Sequence, residues 1–319
     1  MSDGINGPGS FCLVAVFLVF VAMCFPGCVK TEKPSTSGQT ETNSNRIVAA
    51  SYALQYLTQR IVGDDFQVDF PATGSADPKK WSPSVEDVSL MQKSDLIVVN
   101  GPGAAYAGWL NRVTLPASKI CKTTDDFDLN DYITAKDYQV VHAHGPEGEH
   151  SHPYFVPYPW LDPRLAIKQS EKICADLIRV YPEHKSEFEQ SLEDLKKDLS
   201  EIAASIPTGQ SDTKNKVIST NPFPKFLTKI MGLEDRHLLW MQRSDNEDQD
   251  SSIAELENLF ANFPADHLVI GGQLPASMMA RLEKLPVEIH KLELLDFHPE
   301  SGDFLDACKR NIQKLTNLK

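Results

Sequence analysis

The chain is 319 residues long, 41% hydrophobic and 24% charged, which is enough apolar content for one large core or two medium ones. That balance excludes wholesale disorder. A formal net charge of -13 argues against nucleic acid as a partner, because binding phosphates depends on Lys and Arg displacing counterions; the acidity reads as a solubilising surface.

From Phe11 to Phe25 the chain is wholly apolar. That is the length of a signal-peptide hydrophobic region and falls short of the ~20 residues that span a bilayer comfortably. The closing Phe25-Pro26-Gly27-Cys28 resembles a bacterial lipobox, which makes 1–28 a candidate lipoprotein signal peptide and Cys28 the residue that would be diacylated. Asp3 in a leading segment without Lys or Arg, and Phe25 and Pro26 in the box, depart from the usual pattern. A membrane-retained anchor and a start codon placed too far upstream are the alternatives. Residues 29–45, rich in Ser, Thr, Gly and Lys, cannot bury enough apolar surface to fold and read as a flexible tether. Cys121, Cys174 and Cys308 lie far apart with no C-x-x-C pair, so buried thiols are expected rather than a zinc finger or redox centre. Outside the cytoplasm one disulfide is allowed, but the sequence does not choose the pair.

Beyond the tether, Ile47 to Ala50 suits a buried strand and is followed by a helical pattern through Leu54, Leu57 and Ile61. Phe66 to Phe70 is a second strand, Val85 to Lys93 a helix capped by Ser84, and Leu96 to Val99 a buried strand ended by the turn Asn100-Gly101-Pro102-Gly103. The alternation predicts an α/β lobe with a largely parallel sheet over 46–160. From Pro163 to Ile206 the chain is helix-compatible apart from Pro182. After that proline, Phe188, Leu192, Leu195, Leu199, Ile202 and Ile206 form one apolar stripe. The span 161–207 therefore predicts a connecting helix, stopped by Pro207-Thr208-Gly209. Alternation resumes over 208–319. Strands are expected at Val217–Ser219, Leu238–Trp240, His267–Ile270 and Val287–Ile289, and helices near Phe226–Met231, Ile253–Phe260, Ser277–Leu285 and Phe304–Leu315. The fold class is α/β: two lobes joined by a long helix.

In this order the chain carries Ala76-Asp77-Pro78, Trp81-Ser82-Pro83-Ser84, Asp95 to Gly103, Trp109-Leu110, then Trp160-Leu161-Asp162-Pro163 running into Ala166, Ile173 and Tyr181-Pro182, and finally Asp303-Phe304 through Asn311 and Leu315. Together these resemble the ABC-transporter binding proteins that capture zinc or manganese, over nearly all of 46–319. The resemblance implies a rigid backbone helix between the lobes, a ligand cleft between them and no enzymatic activity. It also implies an ABC permease partner; a monomer is expected, and a lipidated Cys28 would anchor it to a bacterial membrane, facing the periplasm or the extracellular side.

The resemblance further implies a site of three histidines and one carboxylate, and here the chain departs from it. Lys79, Tyr158 and Asn221 stand at the positions that match the family's histidines, while Asp296 matches the carboxylate. Zinc favours neutral imidazole, thiolate or carboxylate in a tetrahedron. An ammonium offers only donors, a phenol ordinarily keeps its proton up to about pH 10, and an amide supplies one neutral oxygen. Tight zinc or manganese binding is therefore not expected in the cleft. One reading puts Lys79 in the metal's place, paired with Asp296. The other moves the metal to His142, His144, His150 and His152, two His-x-His pairs with Glu147 and Glu149 nearby, in a His-rich loop over 142–152. Many zinc-binding members of the family carry such a loop there. His184, His237, His267, His290 and His298 are scattered and expected in core or surface roles, with His298, close behind Asp296, the one exception.

The expected function is capture of a divalent metal, zinc or manganese, for an importer. The alternative is a binding-protein scaffold without ligand, acting as an adhesin or assembly partner. No G-x-S-x-G, H-E-x-x-H or Walker loop supports an enzyme, and Gly101-Pro102-Gly103 lacks the third glycine of a dinucleotide fingerprint.

Overall fold

The computed structural model describes residues 45–74, 81–101, 109–110, 113–127, 140–143, 149–152, 158–207, 215–238, 240, 249–272 and 274–318. The first lobe is built from β1 (Arg46–Ala49), α1 (Tyr52–Val62), β2 (Gln67–Asp69), α2 (Val85–Lys93), β3 (Leu96–Val99) and β4 (Ile120–Lys122). Its strands are all parallel, in the order β2-β1-β3-β4. A two-stranded antiparallel ribbon of β5 (Val140–Ala143) and β6 (Glu149–His152) follows. Next come α3 (Pro163–Val180) and α4 (Lys185–Ala204). The second lobe contains β7 (Lys216–Ser219), α5 (Lys225–Met231), β8 (Glu234–His237), α6 (Gln249–Asn262), β9 (His267–Gly271), α7 (Ala276–Leu282), β10 (Glu288–Leu292) and α8 (Phe304–Thr316). Its order, β10-β9-β7-β8, is also all parallel and repeats the topology of the first lobe: first strand central, second on one side, third and fourth on the other.

Side-chain alternation explains the layering. Ile47, Ala49, Leu96 and Val98 point from the first sheet into one large core, while Val48, Ile97 and Val99 point to a smaller core with Met91 and Trp109 on the other face. In the second sheet Val217 and Val269 enter the same large core, while Ile218, Leu268 and Ile270 face Leu256 and Leu282. Strands covered on both faces read as continuous apolar runs, which is why β1, β3 and β9 are visible in the sequence.

Local chemistry sets the helix ends. Ser51 accepts from Leu54 N at 3.3 Å to start α1, and Gly63, at φ 70°, closes it. Ser84 and Asp87 form a reciprocal capping box on α2, as Asp303 and Asp306 do on α8. Asp162 caps α3 with Pro163 in its first turn.

Three local expectations are corrected. The span 161–207 is two helices rather than one. Tyr181 ends α3, its hydroxyl donating to Asp95 Oδ2 at 2.8 Å, and Pro182 opens a short 3-10 turn. The chain then folds back, and Lys196 of α4 pairs with Glu171 of α3 at 3.0 Å. α4 is the connecting helix, packed on α1 of the first lobe and α8 of the second; Phe188, Leu195, Leu199, Ile202 and Ile206 of its stripe are buried in the shared core. The strand expected at Leu238–Trp240 lies one step earlier, at β8; Leu238 and Trp240 follow it and pack into the second lobe's outer core. As the edge strand, β8 is polar, with Arg236 lying over the Phe263 ring at 4.8 Å, so it shows no apolar signal. Finally, the His-rich segment 142–152 contains most of a strand pair, not only a loop.

The three described cysteines are free and buried; burial pushes the Cys174 thiol up to about 11 and those of Cys121 and Cys308 higher than usual, so all three are protonated thiols at neutral pH. Leu199 is fully buried on α4. Leu199→Ala should cost about 2–5 kcal/mol in urea unfolding, while Glu201→Ala on the exposed face should stay within about 0.5 kcal/mol of the parent.

Candidate functional site

In open parallel sheets, ligands sit beyond the carboxyl ends of the strands where the strand order reverses. Here those points follow β1 and β3 in one lobe and β7 and β9 in the other. The two sets of strand ends are brought together by direct bonds. The first-turn amides of α1 donate across the lobes, Tyr52 N to Asp296 O at 3.0 Å and Ala53 N to Leu295 O at 3.1 Å. Those amides have no partner within their own helix, so the loop after β10 takes the place of water or a second cap. The indole Nε1 of the fully buried Trp160 donates to Leu294 O at 2.9 Å, which gives the Trp-Leu-Asp-Pro motif a structural meaning. Its Trp clasps the opposite lobe, its Asp caps α3, and its Pro occupies the first helical position.

The loop after β10 is itself held from behind. Asn311 of α8 accepts from Glu293 N at 2.9 Å through Oδ1 and donates from Nδ2 to Glu293 O at 2.8 Å. Arg310 grips the Glu293 carboxylate with two bonds of 2.8 Å. With both ends of the loop fixed, Leu295 is driven to φ 61°, the only non-glycine residue at positive φ among those described. This turn presents Asp296, half-buried, with Oδ1 shut off from solvent.

Two other positions singled out from the sequence lie in neighbouring loops. Tyr158 is buried, its ring perpendicular to that of Trp160 at 5.8 Å between centroids. Asn221 is buried in the turn directly after β7, its amide nitrogen 3.5 Å from Thr220 Oγ1. The same turn carries Phe223, which together with Leu294 covers Gly271 so closely that a Cβ there would sit 2.6 Å from the ring and 2.8 Å from the leucine. The loops of Tyr158, Asn221 and Asp296 thus converge on Leu294. Lys79, His144 and Cys28 lie outside the described residues. As donors, a phenol, an amide and one carboxylate make a poor set for zinc. His298 lies beside this region, its ring 4.2 Å from that of Tyr52.

The histidines of the ribbon are placed by strand register. His142 is the direct partner of His150, and His152 faces Val140. Directly opposed residues share a face of an antiparallel pair, as do residues two apart on one strand, so His142, His150 and His152 belong to one face. Sequence reasoning missed one grouping: His267 and His290, read as scattered, meet beside Glu288 at the opposite end of the second sheet. Nothing in their spacing signals this, because only the parallel register of β9 and β10 brings them together.

Two parallel α/β lobes joined by a helix, with loops converging on the crevice between them, define a two-lobed solute-binding protein. The chain belongs to the family described as zinc-uptake complex component A, periplasmic (ZnuA), whose model matches residues 47–318. It is 24% identical over 314 residues to the manganese ABC transporter substrate-binding lipoprotein scaA of Streptococcus gordonii, covering 94% of this chain and 97% of the relative. It is 27% identical over 251 residues, 75% of each chain, to the high-affinity zinc uptake system protein ZnuA of Bacillus subtilis. Among solved structures, the Pseudomonas aeruginosa binding protein FpvC in complex with Mn2+ shares the fold, with a TM-score of 0.69, 16% identity and coverage of 86% of this chain and 97% of that one. The laminin-binding protein Lmb of Streptococcus agalactiae does so with a TM-score of 0.65, 17% identity and coverage of 86% and 99%. The chain is therefore a zinc- or manganese-type ABC transporter substrate-binding protein, not an enzyme.

The grip on the cleft loop has a pH signature. Hydrogen bonding to Arg310 holds the Glu293 carboxyl below its ordinary 4.5. A depressed carboxyl contributes stability that is fully present above the ordinary value and is lost as pH falls through the lower, folded-state value. Glu293→Gln should therefore flatten the decline of melting temperature below about pH 4.5 without changing the pH 7 to 8 plateau slope, measured by circular dichroism melts across that range.

Proposed function

We propose that this protein captures a divalent transition-metal ion, zinc before manganese, for an ABC permease, and that the ribbon histidines rather than the cleft make the capture. The register that sets His142 opposite His150, with His152 on the same face, carries this reading. Imidazole suits zinc, whereas manganese favours oxygen donors. His144, two residues after His142, and Glu147 would be further ligands in the same segment, while Glu149, opposite Ala143, belongs to the ribbon's other face. A lipid on Cys28 and a tether over 29–45 would hold the lobes at a bacterial membrane, on its periplasmic or outer side; the scaA relative is named a lipoprotein. Among the described residues no helix is long and apolar enough to cross a membrane.

In the cleft, Lys79 stands at the sequence position where a metal-binding histidine is expected and would pair with Asp296, a fixed cation in place of a captured one. Such a pair ties the lobes with little net gain in stability, because both charges must leave water. The second reading, a scaffold without ligand that serves as an adhesin, draws on the same donor-poor cleft and on Lmb, whose name joins adhesin and metal transporting activity.

Metal analysis of the full chain, with and without 142–152, tests the proposal. Deleting the segment should remove at least one equivalent of zinc, and Asp296→Ala should remove none. Zinc content untouched by the deletion but lost in Asp296→Ala would return the ion to the cleft, and a parent chain that takes up no zinc would favour the scaffold. For the pair, Lys79→Ala should shift the melting temperature and change metal uptake at the cleft; if both stay where they were, Lys79 has no part there.

A further inference from the structure

We propose a second zinc site, independent of the cleft and the ribbon, formed by His267, Glu288 and His290 at the start of β9 and β10. In the parallel register Glu288 pairs directly with His267, and His290 lies two residues further along β10 on the same face. His267 Nδ1 and His290 Nε2 are 3.2 Å apart. Glu288 offers one oxygen to each ring, Oε2 at 3.7 Å from His267 Nδ1 and Oε1 at 3.7 Å from His290 Nε2. Ligand atoms bound tetrahedrally at about 2.0–2.2 Å stand about 3.4 Å apart, which the imidazole pair already matches. The two carboxylate approaches come from different oxygens. One ligand atom from each of the three residues lies within 4.8 Å of the others, and a small turn of the exposed Glu288 side chain would close the third position and leave a fourth for water.

A shared proton between the rings would give the same 3.2 Å, but it needs no carboxylate. Glu288 adds a negative ligand on the open side, its side chain 69% exposed, while the His267 and His290 side chains are 19% and 8% exposed. That combination of an inner imidazole pair and an outer carboxylate lets an ion enter from solvent. Lys314 of α8, the nearby cation, is bonded through Nζ to Lys291 O at 2.8 Å. The cluster sits at the amino ends of its strands. The cleft loops are at the carboxyl ends, roughly 13 Å away along a strand that rises about 3.3 Å per residue.

The test is zinc titration of the full chain against a chromophoric chelator, repeated with Glu288→Gln, His267→Gln and the 142–152 deletion. Glu288→Gln, at an exposed position, keeps the fold intact and should weaken one zinc equivalent at least tenfold. His267→Gln should abolish that equivalent, and the ribbon deletion should leave it in place. Added zinc should also raise the melting temperature of the parent and of the deletion variant, but not that of His267→Gln beyond the effect of the ribbon. If Glu288→Gln and His267→Gln both take up as much zinc as the parent with unchanged affinity, the rings share only a proton and the proposal fails. Failure of the ribbon proposal would appear separately, as a deletion variant with undiminished zinc.

Discussion

The crevice depends on two backbone amides. Every helix begins with N–H groups that its own ladder cannot satisfy, and in α1 the hydroxyl of the cap Ser51 accepts from Leu54 N. The amides of Tyr52 and Ala53 are answered by carbonyls of Asp296 and Leu295, from the other lobe and more than two hundred residues away in the chain. Leaving such groups buried and unanswered costs about 1–3 kcal/mol each, comparable to the cost of holding a non-glycine residue at positive φ. The left-handed turn at Leu295 is therefore sustained by what its neighbours bond to. Asn311 and Arg310 fix the near end of the loop, α1 the far end, and Trp160 the middle.

Around that contact the rest of the molecule is arranged to keep the lobes in register. Both sheets send one face into a single shared core, so the lobes are not two independent globules joined by a hinge. A polar chain runs along the same boundary. Asp198 of α4 accepts from Arg60 of α1 at 2.7 Å, Arg60 donates to the Tyr56 hydroxyl at 3.0 Å, and Tyr56 donates to Asp303, the cap of α8, at 2.8 Å. Asp303 thus serves α8 with one oxygen and the first lobe with the other. The closing motif that begins at Asp303 has an interlobe role as well as a helix-starting one.

What the sequence made legible follows from burial. Strands covered on both faces, such as Ile47–Ala49, Leu96–Val99 and Leu268–Ile270, must be apolar throughout and are found by composition alone. β8 is an edge strand whose burial is partial, so Glu234–His237 carries no periodic signal, and the apolar pair after it drew the expected strand forward. The three residues of β4 are too short to show a period. The stripe on α4 was legible because one face meets α1, α8 and the core; the reversal before it was marked only by Tyr181-Pro182. At the site, Tyr158, Asn221 and Asp296 were singled out by their match to the family's ligand positions, not by any periodic signal of their own. The meeting of His267 with His290 could not, since residue spacing along the chain carries no information about which parallel strands are neighbours or in what register.

A crevice already closed by backbone bonds, an indole and a shared core changes what an ion there could contribute. In a binding protein whose lobes are held apart without ligand, the ion supplies the contacts that bring them together, and its binding energy drives the closure. Here α1 and Trp160 reach the β10 loop through direct hydrogen bonds. An ion entering among a phenol, an amide and one carboxylate would gain few good ligands and would have little closing left to do. Imidazoles on the ribbon proposed for capture face a different balance. Their ligands are well matched to zinc, and an ion held there would not wait for two lobes to move. Exchangeable binding of that kind would suit a protein that must give its cargo up. The division proposed for this chain, capture outside and a fixed charge pair within, follows from that difference in donor chemistry and in the work each place leaves for the metal to do.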